Sequence, residues 1–161
     1  MANNVFGIIL AGGKGTRMGN VERPKQFMEI GKKPIIIHTI EKFAIHSAFD
    51  KIIILSPKAW ISHTKDLIRK YIPNSSNLAV IEGGSTRNET IMNGIRYIEE
   101  NFGLNDETVI VTHDSVRPFV SHRMIEAVSY THLPPPSPLS EAHRPWPPAR
   151  RGSLSGDRCT K

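Results

Sequence analysis

The chain has 161 residues, a formal net charge of +6 and one cysteine, Cys159. That length suits a single domain, one cysteine excludes an internal disulfide, and no apolar run approaches the ~20 residues needed to cross a bilayer. Residues 129–161 carry five Lys/Arg against two Asp/Glu, so half of the basic excess lies in that stretch. What remains shows no basic stripe interleaved with aromatics, and suits an anionic small substrate better than a nucleic acid. The N-terminus has no basic region ahead of its short apolar run, which excludes a signal peptide and leaves the cytoplasm as the expected compartment.

Val5 to Leu10 is apolar throughout and reads as a buried strand. It runs directly into Gly12, Gly13, Gly15 and Gly19, and the cations Arg17 and Lys25 bracket that loop. Glycines let a backbone approach a ligand closely, and backbone N–H groups beside fixed cations are what a polyphosphate requires. A nucleoside triphosphate site is expected here. A Walker A loop is excluded, because it would place Ile8 at its first glycine and Gly15 at its hydroxyl position. The dinucleotide fingerprint is excluded as well, because from Gly13 and Gly15 it reaches Met18, with Gly19 one place late.

Pro34 opens a helix over residues 35–44, with Ile36, Ile40, Phe43 and Ala44 on one face. Residues 51–55 form a second continuous apolar strand, closed by Ser56-Pro57. Trp60, Thr64, Leu67, Ile68 and Tyr71 mark a second amphipathic helix, stopped by Pro73-Asn74. A third strand over 78–81 ends in Glu82-Gly83-Gly84-Ser85. The helix after it carries Ile91, Ile95, Ile98 and Phe102, with Ser85 as its expected N-cap. A fourth strand over 108–112 leads into His113-Asp114-Ser115-Val116-Arg117-Pro118, and a last helix starts near Ser121. Wholly apolar strands alternating with amphipathic helices predict an α/β fold: a Rossmann-like, doubly wound, mainly parallel sheet covered on both faces. Ligands of such sheets sit beyond the carboxyl ends of the strands, and every polar cluster above lies at such an end.

At residue 129 the composition changes. Seven of the twelve prolines fall in residues 129–161 and apolar periodicity stops. The division expected is a nucleotide-binding part over 1–128 and a Pro-rich, disordered, non-native tail over 129–161, out-of-frame or artificial sequence that is uninformative about function. Pro135 and Pro138 also satisfy a P-x-x-P ligand pattern, the weaker reading of that stretch.

Three segments in order, Leu10-Ala11-Gly12-Gly13-x-Gly15-x-Arg17-Met18 with Pro24-Lys25-Gln26, then Gly83 to Thr90, then His113 to Pro118, resemble the polyol-phosphate cytidylyltransferases. The resemblance covers residues 5–128. It implies CTP as substrate, with Leu10, Ala11, Gly12, Gly13, Gly15 and Ser115 around the nucleotide and Gly84, Ser85, Arg87, Asn88 and Thr90 around cytosine and ribose. It implies Arg17 and Lys25 as the catalytic cations, and Asp114 as the ligand of a divalent cation, Mg²⁺. His113 reads as structural, and Arg117 as ordering its loop by pairing with a carboxylate. Two acceptors fit the resemblance, ribitol 5-phosphate and 2-C-methyl-D-erythritol 4-phosphate. Residues 35–39, Trp60-x-x-His63-Thr64 and Asn88-x-Thr90-Ile91-Met92-Asn93 look more like the ribitol branch.

The resemblance also implies a homodimer, but the family's dimer arm, further strands and acceptor-side lysine are not recognisable in this chain. The rival classes are a non-catalytic nucleotide-binding module and a nucleic-acid protein.

Overall fold

The computed structural model describes residues 4–12, 23–74 and 76–131. Strands β1 (Val5–Leu10), β4 (Lys51–Ser56), β5 (Leu78–Glu82) and β6 (Val109–Asp114) form one parallel sheet in the order β5-β4-β1-β6. A second, two-stranded antiparallel sheet joins β2 (Glu29–Ile30) to β3 (Lys33–Pro34). The sequence reading lacks that hairpin. Each of its strands is only two residues long, too short to show a period, and only the Gly31 turn, at φ +68°, marks it.

Among the described residues, helices α1 (Ile35–Ala44), α2 (Ile61–Tyr71) and α3 (Arg87–Phe102) connect the strands, and α4 (His122–Thr131) follows β6. Successive residues of β1 point to opposite faces, and both faces are covered. Val5 and Ile9 pack with Ile36, Ile40 and Phe43 of α1, Ile68 of α2 and Ile125 of α4. Phe6, Ile8 and Leu10 pack on the other face with Ile53, Leu55 and Ile98 of α3. Burial on both faces is why β1 and β4 read as unbroken apolar runs rather than alternating ones.

Helix α3 comes close enough to the sheet that a Cβ at Gly94 would stand 2.9 Å from Ile8 Cδ1. The glycine therefore sets the distance between these two layers. Ile98 is wholly buried there, whereas Phe102 is partly exposed and lays its ring against Phe6 with centroids 5.4 Å apart.

Several boundaries differ from the sequence reading; β6, for one, runs over Val109–Asp114 rather than 108–112, so His113 and Asp114 belong to the strand. Pro34 is the residue before α1 and also the last of β3, rather than a first-turn residue. The N-cap of α3 is Thr86 rather than Ser85, because the Thr86 hydroxyl accepts the Glu89 N–H. Helix α4 continues through Thr131, past the change in composition. Ser129 is buried there and donates its hydroxyl to the Ile125 carbonyl, so a polar residue is accommodated without breaking the helix. Residues 132–161, and the tail expected among them, lie outside the described residues. Among those described, no helix is long and apolar enough to cross a membrane.

The strand order places the site. From β1 the chain builds outward through β4 to β5, then returns to the other side of β1 with β6. In open α/β sheets such a reversal splays the connections apart and leaves a crevice at the carboxyl ends of the flanking strands.

Candidate functional site

That crevice is present. A cleft of about 410 Å³ is lined by Leu10 and Gly12 from the end of β1, by Gly84, Ser85, Arg87 and Thr90 from the β5–α3 connection, and by Asp114 and Ser115 from the end of β6. Eight residues singled out from the sequence thus converge on one cavity. Gln26, Thr86 and Val116 complete its wall.

The register explains why β1 and β6 deliver their ends together. Leu10 pairs with Asp114, and the Ser115 N–H donates to the Leu10 carbonyl at 3.0 Å. Ser115 is buried, and its carbonyl accepts the hydroxyl of Thr39 on α1 at 2.8 Å. Thr39 was read from the sequence as part of a helix and of the segment resembling the ribitol branch, not as a partner of Ser115. The bond links residues 76 apart in the chain, so no local pattern announces it.

The β5–α3 connection is closed on itself. Gly83 N–H donates to the Ser56 carbonyl, Gly84 N–H to the Thr90 hydroxyl at 3.0 Å, and Ser85 N–H to Glu89 Oε2 at 2.7 Å. The first of these donors is thus satisfied by the end of β4, and the other two by side chains of the first turn of α3. The buried Thr90 hydroxyl also donates to the Thr86 carbonyl at 2.7 Å, so it shapes the loop as well as lining the cleft. Gly84 is required by that closure, since a Cβ there would meet Glu89 Cβ at 2.6 Å and its backbone carbon at 2.8 Å. Ser85 Oγ and N–H both donate to the exposed Glu89 carboxylate, which holds its pKa below the ordinary carboxylate value. Asn88 is exposed and does not line the cleft.

Among the described residues Asp114 is the only acidic side chain lining the cleft, and it is engaged by two guanidiniums. Arg87 Nη1 donates to its Oδ1, and Arg117 Nε to its Oδ2 at 3.1 Å. The loop-ordering pair expected of Arg117 is present. His113, expected to be structural, faces the Arg117 carbonyl through Nε2 at 3.0 Å and packs on Phe43. A second hollow of about 710 Å³ adjoins the first and shares Arg87, Asp114 and Val116 with it. Its far side carries His113, Arg117 and the exposed Phe119.

Pro24 leads into a single 3-10 turn, Lys25–Phe27, of which Gln26 lines the cleft and Lys25 does not. Lys25 is half-buried, with no ion-pair partner among the described residues, and its neighbour Gln26 reaches into the cleft wall. Ala11 is buried beneath the cleft, with its N–H given to the Leu55 carbonyl and its own carbonyl taken by Gln26. Arg17, Gly13 and Gly15 lie outside the described residues.

Among the described residues no three His, Cys, Asp or Glu side chains gather as a metal cluster. A lone carboxylate beside a polyphosphate site is nonetheless a donor set that magnesium accepts, because this ion takes few protein ligands and completes its shell with phosphate oxygens and water.

Comparison with known proteins follows this geometry. Residues 5–133 match the family model for 2-C-methyl-D-erythritol 4-phosphate cytidylyltransferase. Ribitol-5-phosphate cytidylyltransferase of Lactiplantibacillus plantarum is 54% identical over 121 residues, which is 75% of this chain and 52% of that protein. The crystal structure of 4-diphosphocytidyl-2C-methyl-D-erythritol synthase from Anaerococcus prevotii matches at TM-score 0.61 and 24% identity, over 81% of this chain and 51% of that one. The 2-C-methyl-D-erythritol 4-phosphate cytidylyltransferase of Francisella tularensis matches at TM-score 0.58 and 28% identity, over 77% and 49%. The chain thus spans about half the length of these relatives. With the α/β sheet, the cleft at its switch point and the family match over residues 5–133, this chain belongs to the 2-C-methyl-D-erythritol 4-phosphate cytidylyltransferase family.

Proposed function

We propose that the cleft binds CTP and that the protein transfers CMP from it to a polyol phosphate, ribitol 5-phosphate, releasing pyrophosphate. The observation that carries this reading is the convergence of Gly12, Gly84, Asp114 and Ser115 on one cavity at the carboxyl ends of β1, β5 and β6. The adjoining hollow, walled from the first by Asp114 and Arg87, supplies room for a second substrate beside the nucleotide. Ribitol 5-phosphate is preferred because of the 54% identity to a ribitol-5-phosphate cytidylyltransferase. The second acceptor reading, 2-C-methyl-D-erythritol 4-phosphate, is favoured by the description of the family.

In the reaction an acceptor phosphate oxygen attacks the α-phosphorus in line, and the bond from that phosphorus to the bridging oxygen breaks. Pyrophosphate leaves with the electron pair. Two anions must meet, so charge neutralisation governs the barrier. Lys25, next in the chain to the cleft-lining Gln26, is the cation expected to meet that charge, with Arg17 as its expected partner. Asp114 is the residue that would hold a divalent cation, and Arg87 and Arg117 would then have to release its carboxylate. When bound, such an ion neutralises phosphate charge.

The test is pyrophosphate release with CTP and Mg²⁺ in the presence of each acceptor separately. Release with ribitol 5-phosphate, faster than with 2-C-methyl-D-erythritol 4-phosphate, is expected. The reverse order would reassign the acceptor. CTP binding without release for either acceptor would overturn the transferase reading in favour of a nucleotide-binding module.

A further inference from the structure

Lys25 is held by its neighbour. Gln26 is 2% exposed, and its Nε2 donates to the Ala11 carbonyl at 2.6 Å, joining residues 15 apart in the chain. The acceptor is itself immobilised, because the Ala11 N–H donates to the Leu55 carbonyl of β4 at 2.9 Å. On the other side of Gln26, the buried Phe27 stacks on Trp60 with centroids 4.8 Å apart and meets the edge of His63 at 5.1 Å. Within the turn, Phe27 N–H donates to the Pro24 carbonyl and Met28 N–H to the Lys25 carbonyl, each at 3.0 Å. The backbone of Lys25 thus lies between a proline and two anchored side chains. Of the two anchors, Gln26 is the one that ties the turn to the end of β1, where the cleft begins.

We infer that Gln26 is a positioning residue: its amide, bonded to the Ala11 carbonyl, sets where the Lys25 ammonium stands relative to the cleft. The inference rests on the cytidylyltransferase reading for its effect on rate, and on geometry alone for the anchoring. A glutamine is needed because its amide nitrogen donates at the end of a two-methylene arm. Methionine fills about the same volume without a donor and leaves the Ala11 carbonyl without this partner. Glutamate keeps the arm but, once ionised, turns an acceptor toward an acceptor; when protonated it can donate again.

Gln26→Met and Gln26→Glu, each in the full chain, test this. Hydrogen exchange at the Phe27 and Met28 amides is expected to quicken at least about tenfold in Gln26→Met, while core amides of β1 and β4 keep their protection. Unchanged exchange at those two amides would overturn the anchoring, whether or not the chain turns over. In pyrophosphate release, kcat of Gln26→Met is expected to fall about 10–100-fold with KM for CTP changing less than about threefold. For Gln26→Glu the loss is expected to shrink as pH falls toward about 5, as the introduced carboxyl takes up its proton. A rise in KM with kcat intact, or a Gln26→Glu profile parallel to the wild type, would reduce Gln26 to a packing residue. A wild-type chain without turnover would count against the proposed function, and exchange at Phe27 and Met28 would then decide this inference.

Discussion

Arg87, in the first turn of α3, reaches the carboxylate of Asp114, the last residue of β6, across the mouth of the cleft and 27 residues away in sequence. The pair separates the two adjoining hollows, and Arg117 closes on the other carboxylate oxygen. Arg87 is more than half exposed, so solvent screens the attraction and the pair contributes little to stability. Arg87→Ala is therefore expected to change unfolding free energy by less than about 1 kcal/mol. A urea melt measures that, and a loss of several kcal/mol would show the pair to be structural.

Lys25→Ala separates charge from fold. The side chain has no ion-pair partner among the described residues, while the turn's anchors, Gln26 and Phe27, remain. Pyrophosphate release is expected to fall about 10²–10³-fold, the usual cost of removing one fixed charge from a phosphoryl-transfer site. The thermal midpoint should stay within a few degrees of the wild type. Near-normal turnover would remove Lys25 from the reaction.

Thr39→Val removes the hydroxyl that Ser115's carbonyl accepts, leaving that buried acceptor without this donor. A loss of about 1–3 kcal/mol is expected, together with weaker CTP binding, because Ser115 lines the cleft. Calorimetric titration with CTP reads the second effect. Intact affinity alongside lowered stability would confine Thr39 to holding the fold.

Gly94→Ala forces Ile8 Cδ1, 2.9 Å from the new Cβ, and Leu55 Cδ1, at 3.2 Å, to give way. Both are terminal methyls of wholly buried side chains, so they must repack within the core, at a cost of about 1–3 kcal/mol. Alanine at an ordinary exposed helix position would instead stabilise by about 1 kcal/mol. The sign of the change in a denaturant melt decides between close layer packing and simple propensity.

Glu89 accepts from both the N–H and the hydroxyl of Ser85, which lowers its pKa in the folded protein. A group with a lowered folded pKa contributes its stabilisation above the unfolded carboxylate pKa and loses it as pH falls through the folded value. The α3 N-terminus and the cleft wall it forms should therefore loosen on acidification below about pH 4, and not on going from pH 6 to 8. Amide exchange at Ser85 measured across that range reports it. Glu89→Gln should flatten the response, and an unchanged acid dependence in that variant would assign it to another group.

Much of this architecture is legible in the linear chain. Val5 to Leu10 and Ile52 to Leu55 carry no charged or polar side chain because both sides of their strands are buried there, and that pattern admits few alternatives to a covered parallel sheet. The glycine clusters and Asp114 fall at strand ends, so the cavity to which eight of the expected residues contribute could be anticipated from order alone. Local chemistry also favoured Ser85 as the cap of α3, since Ser ranks above Thr as an N-cap. The closure of Ser85 on Glu89 and of Glu89 N–H on Thr86 moved the cap by one residue.

What the sequence by itself determined is the alternation of buried strands and one-sided helices, and with it the end of the sheet where a ligand can sit, because hydrophobic periodicity is a local property of the chain. Tertiary structure alone decided that Arg87 meets Asp114, that Thr39 holds Ser115, and that Gln26 anchors on Ala11. Each of these is a polar contact between distant segments. A single side-chain hydrogen bond leaves no period in the sequence, and its partner is fixed only when the strands have taken their order and register.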